Sequence, residues 1–196
     1  MADMSKVAGL QDVLRQQKGL QSITSRINAA TGIRQMIAEI CPLLIDLFRV
    51  EAAHVFVREK NRQDVYTFTG QTGDVKTVLG PQTLPGYIAN EGKMIHISDF
   101  NKSDQIEAYR DFPVSGGGDS RFGLPVRQIL AMPIFYGGEI LGAVEVLNKK
   151  EDGPFGEKEP ALLQNISGLL GVALYNFLLI DPKAKRLKGT YLVSNG

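Results

Sequence analysis

Residues 128–159, QILAMPIFYGGEILGAVEVLNKKEDGPFGEKE, constrain the fold more than any other stretch. Ile129–Ile134 and Ile140–Leu147 are two short apolar runs, and Tyr136-Gly137-Gly138-Glu139 lies between them. Strand-length runs around a glycine-bearing turn predict a hairpin. The first run is apolar on both faces, so the hairpin is expected to be central and covered on both sides. Glu145 is a lone carboxylate between Val144 and Val146. A buried charge needs a partner or a task.

The flanking chain supplies helices at both ends. Leu10, Val13, Leu14, Leu20, Ile23 and Ile27 fall near helical spacing in a polar setting, which predicts a helix over 6–29 with a narrow apolar stripe. Such a stripe covers its own domain or meets a second copy, and both readings stay open. Ile33, Met36, Ile37, Ile40, Leu44, Leu47 and Phe48 predict an amphipathic helix, with Thr31 as its cap. Pro42 inside it predicts a kink or interruption near Cys41. Residues 157–180 predict a long helix with a broad apolar face, ended by Asp181-Pro182.

Between these ends lie strands and loops. Residues 52–60 and 64–70 predict an antiparallel pair, and Val75–Leu79 a third strand. Leu84-Pro85-Gly86 starts a short helix that Gly92 ends, Met94–Ile97 is a further strand, and a helix is expected near 103–110. Residues 111–126 carry two prolines and four glycines, which predicts a loop placed to act as a lid. The expected fold is α+β: a central antiparallel sheet of five to six strands, terminal helices on one face, and short helices and loops over a pocket on the other.

Composition narrows function. Lys+Arg is 22 and Asp+Glu is 21, so no net field favours nucleic acid or an anionic membrane. Cys41 is the sole cysteine, which excludes an internal disulfide and a multi-cysteine metal site. The first 20 residues hold no long apolar run, and Ile166–Ile180 is shorter than the ~20 residues a bilayer needs. The expectation is a cytoplasmic protein without membrane insertion. No nucleophile–base–orienter set is visible, and Ser115-Gly116-Gly117-Gly118 lacks the flanks of a phosphate loop. Catalysis is therefore not expected, and no metal ligand set or cofactor is named. A histidine in a strand, as His54 or His96 would be, is more often a satisfied core or surface residue than an axial haem ligand.

The hairpin, with its Pro-Ile, Gly-Gly and Leu-Gly-Ala-Val-Glu-Val-Leu-Asn-Lys elements, resembles the signature of GAF domains, small sensory and regulatory α/β modules. Gly86, Ala89, Gly92 and Asp99 match that family's G-x-x-A-x-x-G-x-x-x-x-I-x-D segment. Tyr109-Arg110 resembles a Tyr-Arg pair of cyclic-nucleotide-binding members, and Arg127 also matches. The resemblance runs from about Arg34 to Ile180. It implies a small-molecule pocket, with Phe68, Thr69, Tyr109, Val126, Arg127 and Glu145 at the ligand-binding positions, a nucleotide-like ligand as the sharper case, and a homodimer through the terminal helices. A ligand-free structural module is the alternative, and Glu145 paired with Arg127 or another cation is the plain structural account of that carboxylate. The cyclic-nucleotide subgroup has an Asn-Lys…Phe-x-x-x-Asp-Glu motif. Asn148, Lys149 and Phe155 are present, but Glu159-Pro160 stands where Asp-Glu is expected.

The organisation expected is an N-terminal helix over 1–30, a GAF-like domain over 31–180 and a linker over 181–196 toward a C-terminal output domain. The stretch DPKAKRLKGTYLVSNG resembles the passage after such a domain in some type II secretion and pilus-assembly ATPases.

Overall fold

The computed structural model describes residues 2–59, 62–69, 75–102, 120–151 and 153–180. Two helices, α1 (Ala2–Ala29) and α2 (Ile33–Phe48), lead into β1 (Val50–Arg58), β2 (Val65–Thr69) and β3 (Val75–Leu79). Then come α3 (Leu84–Glu91), β4 (Ile95–Ile97), β5 (Ser120–Arg121) and β6 (Leu124–Pro125). Strands β7 (Ile129–Tyr136) and β8 (Glu139–Lys149) and the helix α4 (Lys158–Ile180) complete the order.

Six strands form one antiparallel sheet in the order β3-β2-β1-β8-β7-β4, the α+β arrangement expected from the sequence. The β7–β8 hairpin turns at Gly137 and Gly138, whose φ values of 58° and 84° suit the two-residue turns that match strand twist. Its second strand also pairs with β1, from Val50↔Lys149 to Val57↔Gly142. Alternation then divides the sheet. Val55, Val57, Leu130, Met132, Val144 and Val146 join the core beneath α1, α2 and α4. Phe56, Ile129, Ala131, Ala143 and Leu147 join a second core with α3.

Helix α4 lies close on β7. The Ser167 hydroxyl donates to the Pro133 carbonyl at 2.6 Å, and a Cβ on Gly171 would stand 2.1 Å from the Phe135 carbonyl oxygen. Pro133 is tolerated within β7 because β4 pairs only with Ile129–Ala131, so no ladder bond is asked of its missing N–H there. Lys158–Leu179 is long and apolar enough, by length and composition, to cross a membrane, a longer span than the sequence suggested. Its Leu163, Ile166 and Leu170 are buried on the sheet, as in a core helix.

Three expectations change. Helix α2 runs through Pro42 without interruption. Pro42 and Ala38 are both exposed, so the carbonyl freed by the missing N–H falls on the solvent side. Thr31 does not cap α2 with its side chain: Gly32 is the cap residue, and the Thr31 N–H and hydroxyl both donate to Gln35 Oε1, at 3.1 and 2.8 Å. Within the expected 111–126 loop, Ser120–Pro125 is a small hairpin. The helix expected near 103–110, the rest of that loop and the 181–196 linker lie outside the described residues.

Candidate functional site

His54 and Glu145 are direct partners across the β1–β8 ladder, on the face that also carries Phe56. Glu145 is 1% exposed, and His54 16%. His54 Nδ1 lies 3.0 Å from Glu145 Oε1. Two aromatic rings flank the imidazole: Phe56 at 5.9 Å between centroids, and Phe122 edge-on at 4.9 Å. Phe122 and Gly123 form the tip of the β5–β6 hairpin, with φ values of 50° and 85°. The left-handed region costs a non-glycine residue about 1–2 kcal/mol. The ring's contact with His54 offsets part of that, and the hairpin roofs the pair.

The other expected residues distribute unevenly around this pair. Val126 is buried in the same apolar cluster, just before β7. Thr69 follows the pocket-side alternation of β2, one strand beyond β1, and its hydroxyl meets that of Thr77 at 3.1 Å. Phe68 does not join them. It packs against the helix-side core, edge-on to Tyr66 at 5.8 Å, because neighbouring strand residues point to opposite faces. Arg127 is not the partner of Glu145: its guanidinium donates to Glu51 Oε1 at 2.7 Å. It precedes β7 at the sheet's end, opposite the start of β1, whereas Glu145 sits mid-ladder. Tyr109 lies outside the described residues.

Asn148 fixes the entry to β7. It is fully buried with φ 55°, and all four of its amide hydrogen-bonding positions are used. Oδ1 accepts from the Arg127 and Gln128 N–H groups at 2.8 and 3.1 Å. Nδ2 donates to Glu51 Oε2 at 2.7 Å and to the Pro125 carbonyl at 2.8 Å. The Arg127 guanidinium, then the Asn148 amide, hold the Glu51 carboxyl below its ordinary range. This knot anchors the segment that follows the β5–β6 hairpin, and so the base of the roof. Lys149 pairs with Glu159 at 2.7 Å, so one carboxylate still meets the lysine although Glu159-Pro160 replaces Asp-Glu.

His54, Phe122 and Glu51 were not singled out from the sequence as binding positions. Their roles arise from which strands pair, and a β-rich run around residue 54 does not state that.

Two open clefts lie on the helical side. One, of about 450 Å³, is lined by Arg15, Arg49, Lys149, Glu159 and Leu162. The other, of about 520 Å³, runs between α1 and α2 over Leu14, Leu43 and Leu47. Cys41, half-buried on α2, has its thiol pushed up to about 12, chiefly by desolvation. Among the described residues no three His, Cys, Asp or Glu side chains converge as a metal site.

Helices on one face of an antiparallel sheet, with a short helix and a hairpin over a buried polar pair on the other, define a one-sheet α+β domain with a roofed second face. The chain belongs to the GAF domain family, whose model matches residues 32–174. A probable 3′,5′-cyclic phosphodiesterase of Caenorhabditis elegans is 30% identical over 111 residues, 57% of this chain. The match covers 14% of that protein's length. The GAF domain of a phosphoenolpyruvate-protein phosphotransferase from Coxiella burnetii superposes with a TM-score of 0.61 at 19% identity, over 90% of this chain and 98% of that one. The corresponding Acinetobacter domain gives 0.62 at 14% identity, over 84% and 96%. These structures share the fold.

Proposed function

We propose that this GAF domain is a regulatory module without catalytic activity of its own, which binds a small molecule on the α3 face of its sheet. It works in the cytoplasm as a homodimer and passes ligand binding to an output domain on its C-terminal side. The observation that carries the reading is the His54–Glu145 pair, mid-sheet beside the apolar cluster of Phe56 and roofed by Phe122. Removing a carboxylate from water is costly, so a lone carboxylate held mid-sheet calls for a partner or a task. A nucleotide-like ligand is the sharper form. The similarity to a protein named as a cyclic phosphodiesterase supports it, as does the Lys149–Glu159 pair. The exposed Val7, Leu10 and Leu14 of α1, with Val172 and Leu179 of α4, support self-association through the terminal helices. The resemblance of residues 181–196 favours a secretion- or pilus-assembly-type ATPase as the output domain.

A ligand-free structural module is the second reading. The packing of Leu84, Ile88 and Ala89 onto Phe56 favours it, since α3 already fills that part of the face. Thermal shift against cyclic GMP, cyclic AMP and a metabolite panel separates the two. A ligand at 100 times its Kd adds about 2.7 kcal/mol and raises the melting temperature by several degrees. An unchanged melt with every compound favours the structural module. Sedimentation equilibrium tests the dimer, with Leu10→Asp expected to shift it toward monomer.

A further inference from the structure

We propose that the polar atom meeting the ligand is His54 Nε2, and that Glu145 is a positioning residue acting through His54. This rests on the binding function proposed above and assigns the contact within it. Glu145 is almost wholly enclosed, with Oε1 directed at His54 Nδ1 rather than at solvent. A carboxylate only accepts, so the 3.0 Å contact places the ring proton on Nδ1. The partner of one ring nitrogen sets the role of the other. In the neutral ring Nε2 then carries the lone pair, and among the described residues it makes no hydrogen bond. The imidazole retains 16% exposure, at the edge of the β5–β6 roof. Phe56 and Phe122 give it two apolar ring neighbours. The complement to such a spot is a flat, neutral heterocycle that offers an N–H donor in its plane and a face to the aromatic rings.

The chain contains two histidines, so its imidazole spectrum is simple to assign. Long-range 1H–15N correlation of uniformly labelled protein at neutral pH, without ligand, should show His54 as the Nδ1–H tautomer. In Glu145→Met it should shift to the Nε2–H form that free imidazole prefers. An Nε2–H ring or an imidazolium in the native protein overturns the assignment. Binding is tested with His54→Asn. The asparagine amide takes the place of Nδ1 and can still donate to Glu145, but Nε2 is gone. This variant should melt close to the native protein yet bind cyclic GMP or cyclic AMP about tenfold or more weakly, the cost of leaving a buried donor unpaired. Equal affinity for the variant and the native protein overturns the ligand contact alone. A native protein that binds neither nucleotide, nor any compound of the panel, overturns the underlying binding function instead, while the tautomer still decides what Glu145 does to His54.

Discussion

His54 and Glu145 face each other across the β1–β8 ladder with 3.0 Å between Nδ1 and Oε1. The pair accounts for the one carboxylate in an otherwise apolar run of β8. It also stands apart from a second polar group. His54 and Glu145 stand mid-sheet beneath the roof. Arg127, Glu51 and Asn148 stand at the sheet's end and hold the roof's base. On the function proposed above, the first group meets the ligand and the second anchors the segment that leads to the roof.

Asn148 should be among the least replaceable polar residues. Asn148→Gly keeps the left-handed backbone but removes four hydrogen bonds and empties the space of a fully buried side chain. The expected loss is about 2–4 kcal/mol, measured by urea unfolding. Asn148→Ala should lose about 1 kcal/mol more, because its Cβ opposes φ 55°. Equal stability of native protein and Asn148→Gly would contradict the knot.

Acid should loosen the same knot. The Glu51 carboxyl is held below its ordinary value of 4.5 by Arg127 and Asn148. The folded state therefore binds this proton less readily than the unfolded chain. The resulting stability is fully present above pH 4.5 and is lost as the pH falls through the lower, folded value. Chemical unfolding followed from neutral pH into this range should show native protein losing more stability than Glu51→Gln. Parallel profiles for the two proteins would rule the linkage out.

The sequence shows the fold more readily than the site, and the reason is range. The β7–β8 hairpin, the helix 33–48 stripe and the Gly92 stop are local patterns, written in neighbouring residues. Local sequence sets Arg127 and Glu145 beside one hairpin and does not say which groups they meet. The pairing of β1 with β8 brings Glu51 to Arg127 and His54 to Glu145, and those contacts join residues 76 and 91 positions apart. One placement follows from a local rule. Phe68 and Thr69 are adjacent on a strand, so both cannot face one pocket. Pro42 shows the converse: its local rule predicts a break, but an exposed position lets the helix continue.

Cys41 should behave as a packed thiol. With its thiol pushed up to about 12, very little thiolate exists at neutral pH. A disulfide-exchange reagent should label the native protein far more slowly than the urea-unfolded chain. Comparable rates in the two states would show that α2 leaves the thiol open.

Two glycines of α4 should respond oppositely to alanine. At Gly168 nothing lies within 4 Å of an added Cβ, and alanine removes a helix-interior glycine, so Gly168→Ala should stabilise by about 1 kcal/mol. At Gly171 the same gain in helix propensity is available, but the new Cβ would stand 2.1 Å from the Phe135 carbonyl oxygen. A backbone atom cannot rotate aside as a side chain can, so α4 must lift from β7. Overpacking of this kind costs about 1–3 kcal/mol, and the clash with a fixed carbonyl puts it toward the upper end. The net for Gly171→Ala is a loss of about 1–2 kcal/mol, or roughly 2–8 °C in melting temperature. Lifting α4 also strains the Ser167 hydrogen bond to Pro133, one turn away on the same contact. Gly171→Ala and Ser167→Ala should therefore combine less than additively in a double-mutant cycle, and strict additivity would show that the helix tolerates the Cβ without moving.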